Sequence, residues 1–162
     1  MKPASALTMI KPLLVPVFLP SLLMSIAEYA LLPVIPASAL ELGADIPTAA
    51  LIAGLLMVGV LVADLPAGRL VDRLGERKSM ILGAVLGAVG VLAVSLGHSL
   101  ALMAVGVFAL GVGIAIFALA RHAFFAEHIP IEFRARSLSL LGGTFRGGAF
   151  VGPILGSIFI SL

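Results

Sequence analysis

The sequence predicts an all-α fold, a polytopic bundle of transmembrane helices. Three observations carry that prediction. Apolar residues make up 61% of the 162-residue chain and charged residues 11%, less than half the roughly 25% charged fraction of a soluble domain. The apolar residues gather in runs of about 20 that are apolar all round, whereas a helix at a water-facing surface keeps one polar face. The remaining charges fall in short clusters between those runs.

A hydrocarbon core about 30 Å thick takes about 20 residues of helix, because lipid offers no partner to an unbonded backbone group. Five runs meet this length. The first, residues 12–32, encloses a single charge, Glu28. Preceded by Lys2 and Lys11, and with Ser25-Ile26-Ala27 as a loose cleavage site, it has some features of a signal peptide. It is longer than the roughly 7–15 residues of a signal-peptide apolar region, however, and leads through a short connection to another span. The second run, 47–66, lies between Pro47 and Pro66 and holds Asp64 near its end. The third, 79–96, carries small residues at Gly83 and Gly87, and the fourth, 100–120, is free of charge until Arg121. The fifth, 138–162, contains Arg146 and then Gly148, Gly152 and Gly156, four residues apart and therefore on one helix face.

Direction follows from Lys and Arg in short connections, which stay on the cytoplasmic side. Lys2 and Lys11 precede the first run; Arg69, Arg73, Arg77 and Lys78 follow the second; Arg121, Arg134 and Arg136 follow the fourth. The alternate connections, with Glu41 and Asp45 or with Gly97-His98-Ser99, contain neither. A cytoplasmic N-terminus in a plasma or inner cell membrane is expected, with the C-terminus on the opposite side.

Several classes are excluded by what the chain carries. With no cysteine there is no disulfide or thiolate metal site, and His98, His122 and His128 are too scattered for a closed one. No cofactor is expected. The net charge is +2, and its cations sit at span ends rather than on the continuous basic face that nucleic acid requires. No nucleophile with a base, paired acids or ligand cluster stands at depth, so the chain does not read as an enzyme.

Just after Pro66 stands Gly68-Arg69-Leu70-Val71-Asp72-Arg73-Leu74-Gly75-Glu76-Arg77-Lys78. Gly68 and Gly75 permit backbone conformations closed to other residues, and Asp72 among four cations can cap a helix or form a charged network. A solvated loop whose cations only set topology is the plainer alternative. The stretch 67–78, read as a loop, resembles the signature loop of the major facilitator superfamily in spacing and place, with Glu76 where the family more often has a basic residue. The resemblance implies a major-facilitator-like N-terminal bundle lacking its sixth helix. It further implies a conformational gate, formed by Gly68, Asp72, Arg73, Gly75, Arg77 and Lys78, that holds two helical bundles together on the cytoplasmic side.

The run Gly148-Ala149-Phe150-Val151-Gly152-Pro153-Ile154-Leu155-Gly156 is similar to the fifth-span motif of antiporters in the same superfamily, with Ser139 and Ser157 in place of two further glycines. That similarity implies efflux. Read from the residues alone, the stripe lets a second helix approach closely and Pro153 favours a bend, with no bearing on direction.

Ionisable groups inside a membrane are costly and mark ion pathways. Glu28 is the first candidate for a proton site; if the first span ends at Leu32 or Pro33, it instead reaches water near the outer interface. Arg146 needs a partner at its depth. At about 1.5 Å per residue, Glu28 lies about 10 Å deeper and Asp64 about 10 Å shallower, so both remain candidates. Arg121 matches the fourth-span arginine that the family uses in proton transfer, or else anchors a helix end.

Members of the family have twelve spans in two bundles, with substrate bound between halves that rock against each other. The expectation is therefore the N-terminal fragment of a proton-coupled secondary transporter. Its partners would be the lipid bilayer, a small-molecule substrate, protons and the missing C-terminal helical bundle. A non-transporting membrane subunit, or a small transporter that self-assembles, is the alternative.

Overall fold

The structure is a computed structural model that describes residues 17–161. Lys2, Lys11 and the beginning of the first predicted span lie outside the described residues. Five helices follow one another: α1 (Leu19–Glu41), α2 (Ile46–Leu74), α3 (Glu76–Leu96), α4 (Leu100–His128) and α5 (Ile131–Ser161). All five are long and apolar enough to cross a membrane. Among the described residues there is no strand.

The helices outrun their apolar cores, and buried stripes explain why. In α2 the stripe Ile52, Leu56, Gly59, Ala63 continues as Ala67 and Val71 into the stretch read as a loop, which is helical as far as Leu74. Only Gly75, at φ 78°, leaves the helix before α3 starts at Glu76. The expected loop 67–78 is thus a helix, one glycine and a second helix. In α4, Ala120, Arg121 and Phe125 likewise carry the buried face past the expected end at residue 120. α5 starts at Ile131, ahead of the expected residue 138, with Ser137 buried. α1 passes the expected end at Leu32 and runs through Pro33 and Pro36 to Glu41, since neighbouring groups in a membrane bundle can re-satisfy the carbonyls that proline frees.

The α1–α2 connection is closed by local chemistry. Gly43, at φ 87°, ends α1, and the N–H groups of Ala44 and Gly43 donate to the carbonyls of Ala39 (3.0 Å) and Leu40 (2.9 Å). That pair of bonds is a Schellman cap. Asp45 then caps α2, its carboxylate accepting from the Thr48 N–H at 3.0 Å, with Pro47 in the first turn where no backbone donor is needed.

The chain divides into two compact units, residues 1–31 with 125–162 and residues 32–124. Within the second unit α4 meets α3 through bare backbone. A Cβ at Gly113 would stand 2.6 Å from the Gly87 nitrogen, so these antiparallel helices approach as closely as small residues permit. Within the first unit the described part of α1 packs along α5, and the Phe18 and Phe125 rings meet edge to face at 5.7 Å.

Candidate functional site

The contact of α1 with α5 organises the first unit. A Cβ at Gly148 would lie 2.7 Å from the Ser25 Cβ, and one at Gly152 would lie 2.6 Å from the Tyr29 Cβ. Gly156 abuts the Ala30 carbonyl in the same way. The stripe therefore receives the backbone of α1, and the Ser25 hydroxyl donates to Leu22 O at 3.0 Å and reaches Thr144 O at 3.5 Å across the seam. Pro153 lies within α5 between the second and third glycine of this stripe.

Register places Glu28 and Arg146, the charged residues within the predicted spans of this unit. Gly148 faces Ser25 and Gly152 faces Tyr29, an offset of 123 residues in both pairs, so the helices run parallel. The same offset sets Arg146 level with Leu23, five residues short of Glu28 and about 7.5 Å from it along the axis. Arg146 also stands two positions before Gly148, about 200° around the helix, on the face turned away from α1. It is exposed there and meets no carboxylate among the described residues. Glu28 is half-buried and lies near the middle of α1, because that helix continues to Glu41. The structure does not bring Arg146 to Glu28.

Arg121 is enclosed within α4. It is 2% exposed, and its guanidinium carbon lies 5.7 Å from the centre of the Phe117 ring, one helical turn earlier. A guanidinium on an aromatic face is a stabilising arrangement that gains strength away from water. Asp64, by contrast, is exposed on α2.

The residues expected to form a gate cluster around Gly75. Arg69, Asp72 and Arg73 lie in the last turns of α2 and Arg77 and Lys78 in the first turn of α3, all exposed, with Gly68 half-buried. The expectation that Asp72 caps a helix is corrected. α3 has Gly75 at its N-cap and no side-chain cap, and Asp72 makes no ion pair among the described residues. The reason is that α2 continues to Leu74, which places Asp72 in its final turn instead of ahead of α3.

Sequence reasoning missed Ser25, Thr144, Tyr29 and Phe117, whose importance depends on what lies across from them. It also missed Arg134, whose Nε donates to Ile129 O at 2.9 Å and whose terminal nitrogen donates to Ala126 O, so that it closes the end of α4. An arginine just after His128-Ile129-Pro130 was the available signal, since cations favour helix C-termini.

Comparison with known proteins now decides the family: the model of the Major Facilitator Superfamily matches residues 17–162. The chain belongs to the Major Facilitator Superfamily. It is similar to a gallate transporter of Pseudomonas putida, 34% identical over 123 residues that cover 74% of this chain and 27% of that protein. An uncharacterized MFS-type transporter of Mycobacterium tuberculosis strain H37Rv is 28% identical over 124 residues, 76% of this chain and 18% of the relative. The multidrug resistance protein MdtL of Klebsiella pneumoniae strain 342 is 29% identical over 126 residues, 78% of this chain and 32% of the relative. The matched segment thus spans less than a third of each of these relatives. No solved structure matches the chain. Two of the relatives named are called transporters, and the five helices of this chain are long and apolar enough to be those of a multi-pass membrane protein.

Proposed function

We propose that the chain is the N-terminal part of a proton-coupled secondary transporter that moves a small molecule by alternating access, in the direction of efflux. The observation that carries the reading is Glu28: a half-buried carboxyl near the middle of an apolar helix, one position from the Tyr29 that meets Gly152. A carboxyl at such depth is costly and marks an ion pathway, and the adjoining glycine seam brings the backbone of α5 against α1 beside it.

Arg121 is assigned to proton transfer, and Arg146, turned away from α1, to the wall that meets the other bundle. Gly68, Asp72, Arg73, Gly75, Arg77 and Lys78 form the cytoplasmic gate. Asp72, unpaired among the described residues at the end of α2 where the helix dipole disfavours an anion, is suited to a partner on the C-terminal bundle. The N-terminus is cytoplasmic and the membrane is the cell membrane.

Support for efflux comes from the run Gly148–Gly156 and from the likeness to a protein called a multidrug resistance protein; the likeness to a gallate transporter keeps small aromatic acids among the substrates to try. The test is transport by the complete protein in vesicles carrying an imposed pH gradient. Substrate movement opposite to the proton flux supports the reading, and movement indifferent to the gradient removes its coupling.

A further inference from the structure

α3 is attached to the bundle by one narrow stripe: Ser79, Gly83, Gly87, Gly90 and Val94 are buried. Two residues from each of these, about 200° around the helix, stands the outward stripe Arg77, Ile81, Val85, Val89, Leu92. Every member of it is exposed, Ile81 to 65%. In a membrane-spanning helix an outward apolar stripe of this kind faces acyl chains.

The stripe ends in two cations. Arg77 and Lys78 are exposed and meet no carboxylate among the described residues. From Arg77 to Val89 the helix rises about 18 Å, close to the roughly 15 Å of one leaflet of hydrocarbon. The cations therefore stand at headgroup depth when Ile81, Val85 and Val89 stand in the hydrocarbon. Clusters of Lys and Arg at a span end attract anionic lipid at about fivefold per cation.

We propose that the outward face of α3 seats an anionic phospholipid, its phosphate between Arg77 and Lys78 and its chains along Ile81, Val85 and Val89. An anionic lipid suits the site better than a zwitterionic one, because an amine headgroup would bring a third cation beside two that meet no carboxylate among the described residues. The seat shares Arg77 and Lys78 with the proposed gate, and its test therefore reads lipid retention rather than transport.

The test is native mass spectrometry of the full chain in detergent, titrated with phosphatidylglycerol or phosphatidylcholine. Phosphatidylglycerol should be retained at least tenfold more strongly, and glycerophosphate at equal concentration should not displace it. The Arg77→Gln/Lys78→Gln variant should lose about 25-fold, at about fivefold per cation, while Arg77→Lys/Lys78→Arg and Arg136→Gln should stay within about twofold of the parent. Equal retention of the two lipids, displacement by glycerophosphate, or an Arg136→Gln loss as large as that of a single Arg77→Gln change would overturn the seat. If the double variant inserts poorly, the single variants and the conservative swap, checked for unchanged helix content, decide the matter.

Discussion

Gly152 of α5 lies so close to Tyr29 of α1 that a Cβ at position 152 would stand 2.6 Å from the Tyr29 Cβ, with the Ala30 nitrogen and the Ile26 carbonyl oxygen each at 2.8 Å. Two of those neighbours are backbone, which has no rotamer by which to yield. Gly152→Ala should therefore lower the apparent Tm of the protein in detergent by the equivalent of about 1–3 kcal/mol, the usual cost of overpacking. Gly54→Ala is the contrasting case: nothing lies within 4 Å of its Cβ, and the gain in helix propensity should leave the Tm unchanged or raise it. Equal losses at the two positions would show that the seam is not tight.

The stacking of Arg121 on Phe117 makes a separable contribution. Arg121→Met and Phe117→Leu should each destabilise the protein, and the double variant should lose less than their sum. The coupling expected for a shielded cation on a ring is about 0.5–2 kcal/mol. Thermal unfolding of the four species measures it, and strict additivity would remove the contact from the account.

Arg134 should matter to the end of α4 more than to the rest of the molecule. Arg134→Ala removes two charge-assisted bonds, to Ile129 O and Ala126 O, each worth about 1.5–3 kcal/mol where water does not compete and less at this partly exposed turn. The expected result is faster hydrogen exchange of the α4–α5 turn with little change in α2 and α3. Uniform acceleration throughout would contradict a local role.

Asp45 supplies a pH dependence. Thr48, through its side chain and its backbone N–H, holds the Asp45 carboxyl below its ordinary value of 3.8. A lowered value means that the carboxylate favours the folded form, so the contribution is complete above 3.8 and is lost as pH falls through the lowered value. Protection from exchange at the start of α2, taken relative to the intrinsic rate at each pH, should fall below about pH 3.8 in the parent, whereas Asp45→Asn, which keeps an acceptor but no charge, should show no such step.

The centres of all five helices were legible in the sequence, because lipid demands a long apolar run and each run is visible as one. Their ends were not. Ala67 and Val71, Arg121 and Phe125, and Ser137 continue buried stripes among polar neighbours, and hydropathy averages such residues away. Gly148, Gly152 and Gly156 could be read as a face for close approach, but the receiving residues Ser25, Tyr29 and Ala30 lie more than 100 positions away, and nothing local names them. By its sequence the stretch around Gly75 reads as a loop, in which Asp72 can cap a helix or join a charged network; because α2 reaches Leu74, the cap position passes to Gly75. Arg146 and Glu28 stand out in the sequence as charges among apolar residues, yet their faces follow only from the register of α1 on α5.

The central claim is that Glu28 carries the coupling proton. Its most direct measurement is pH-gradient-driven transport by the complete protein in proteoliposomes, with Glu28→Gln beside the parent at matched insertion. The account predicts that Gln abolishes transport driven by the gradient and leaves insertion and helix content intact, with Glu28→Asp retaining part of the activity. Undiminished gradient-driven transport in Glu28→Gln would contradict it.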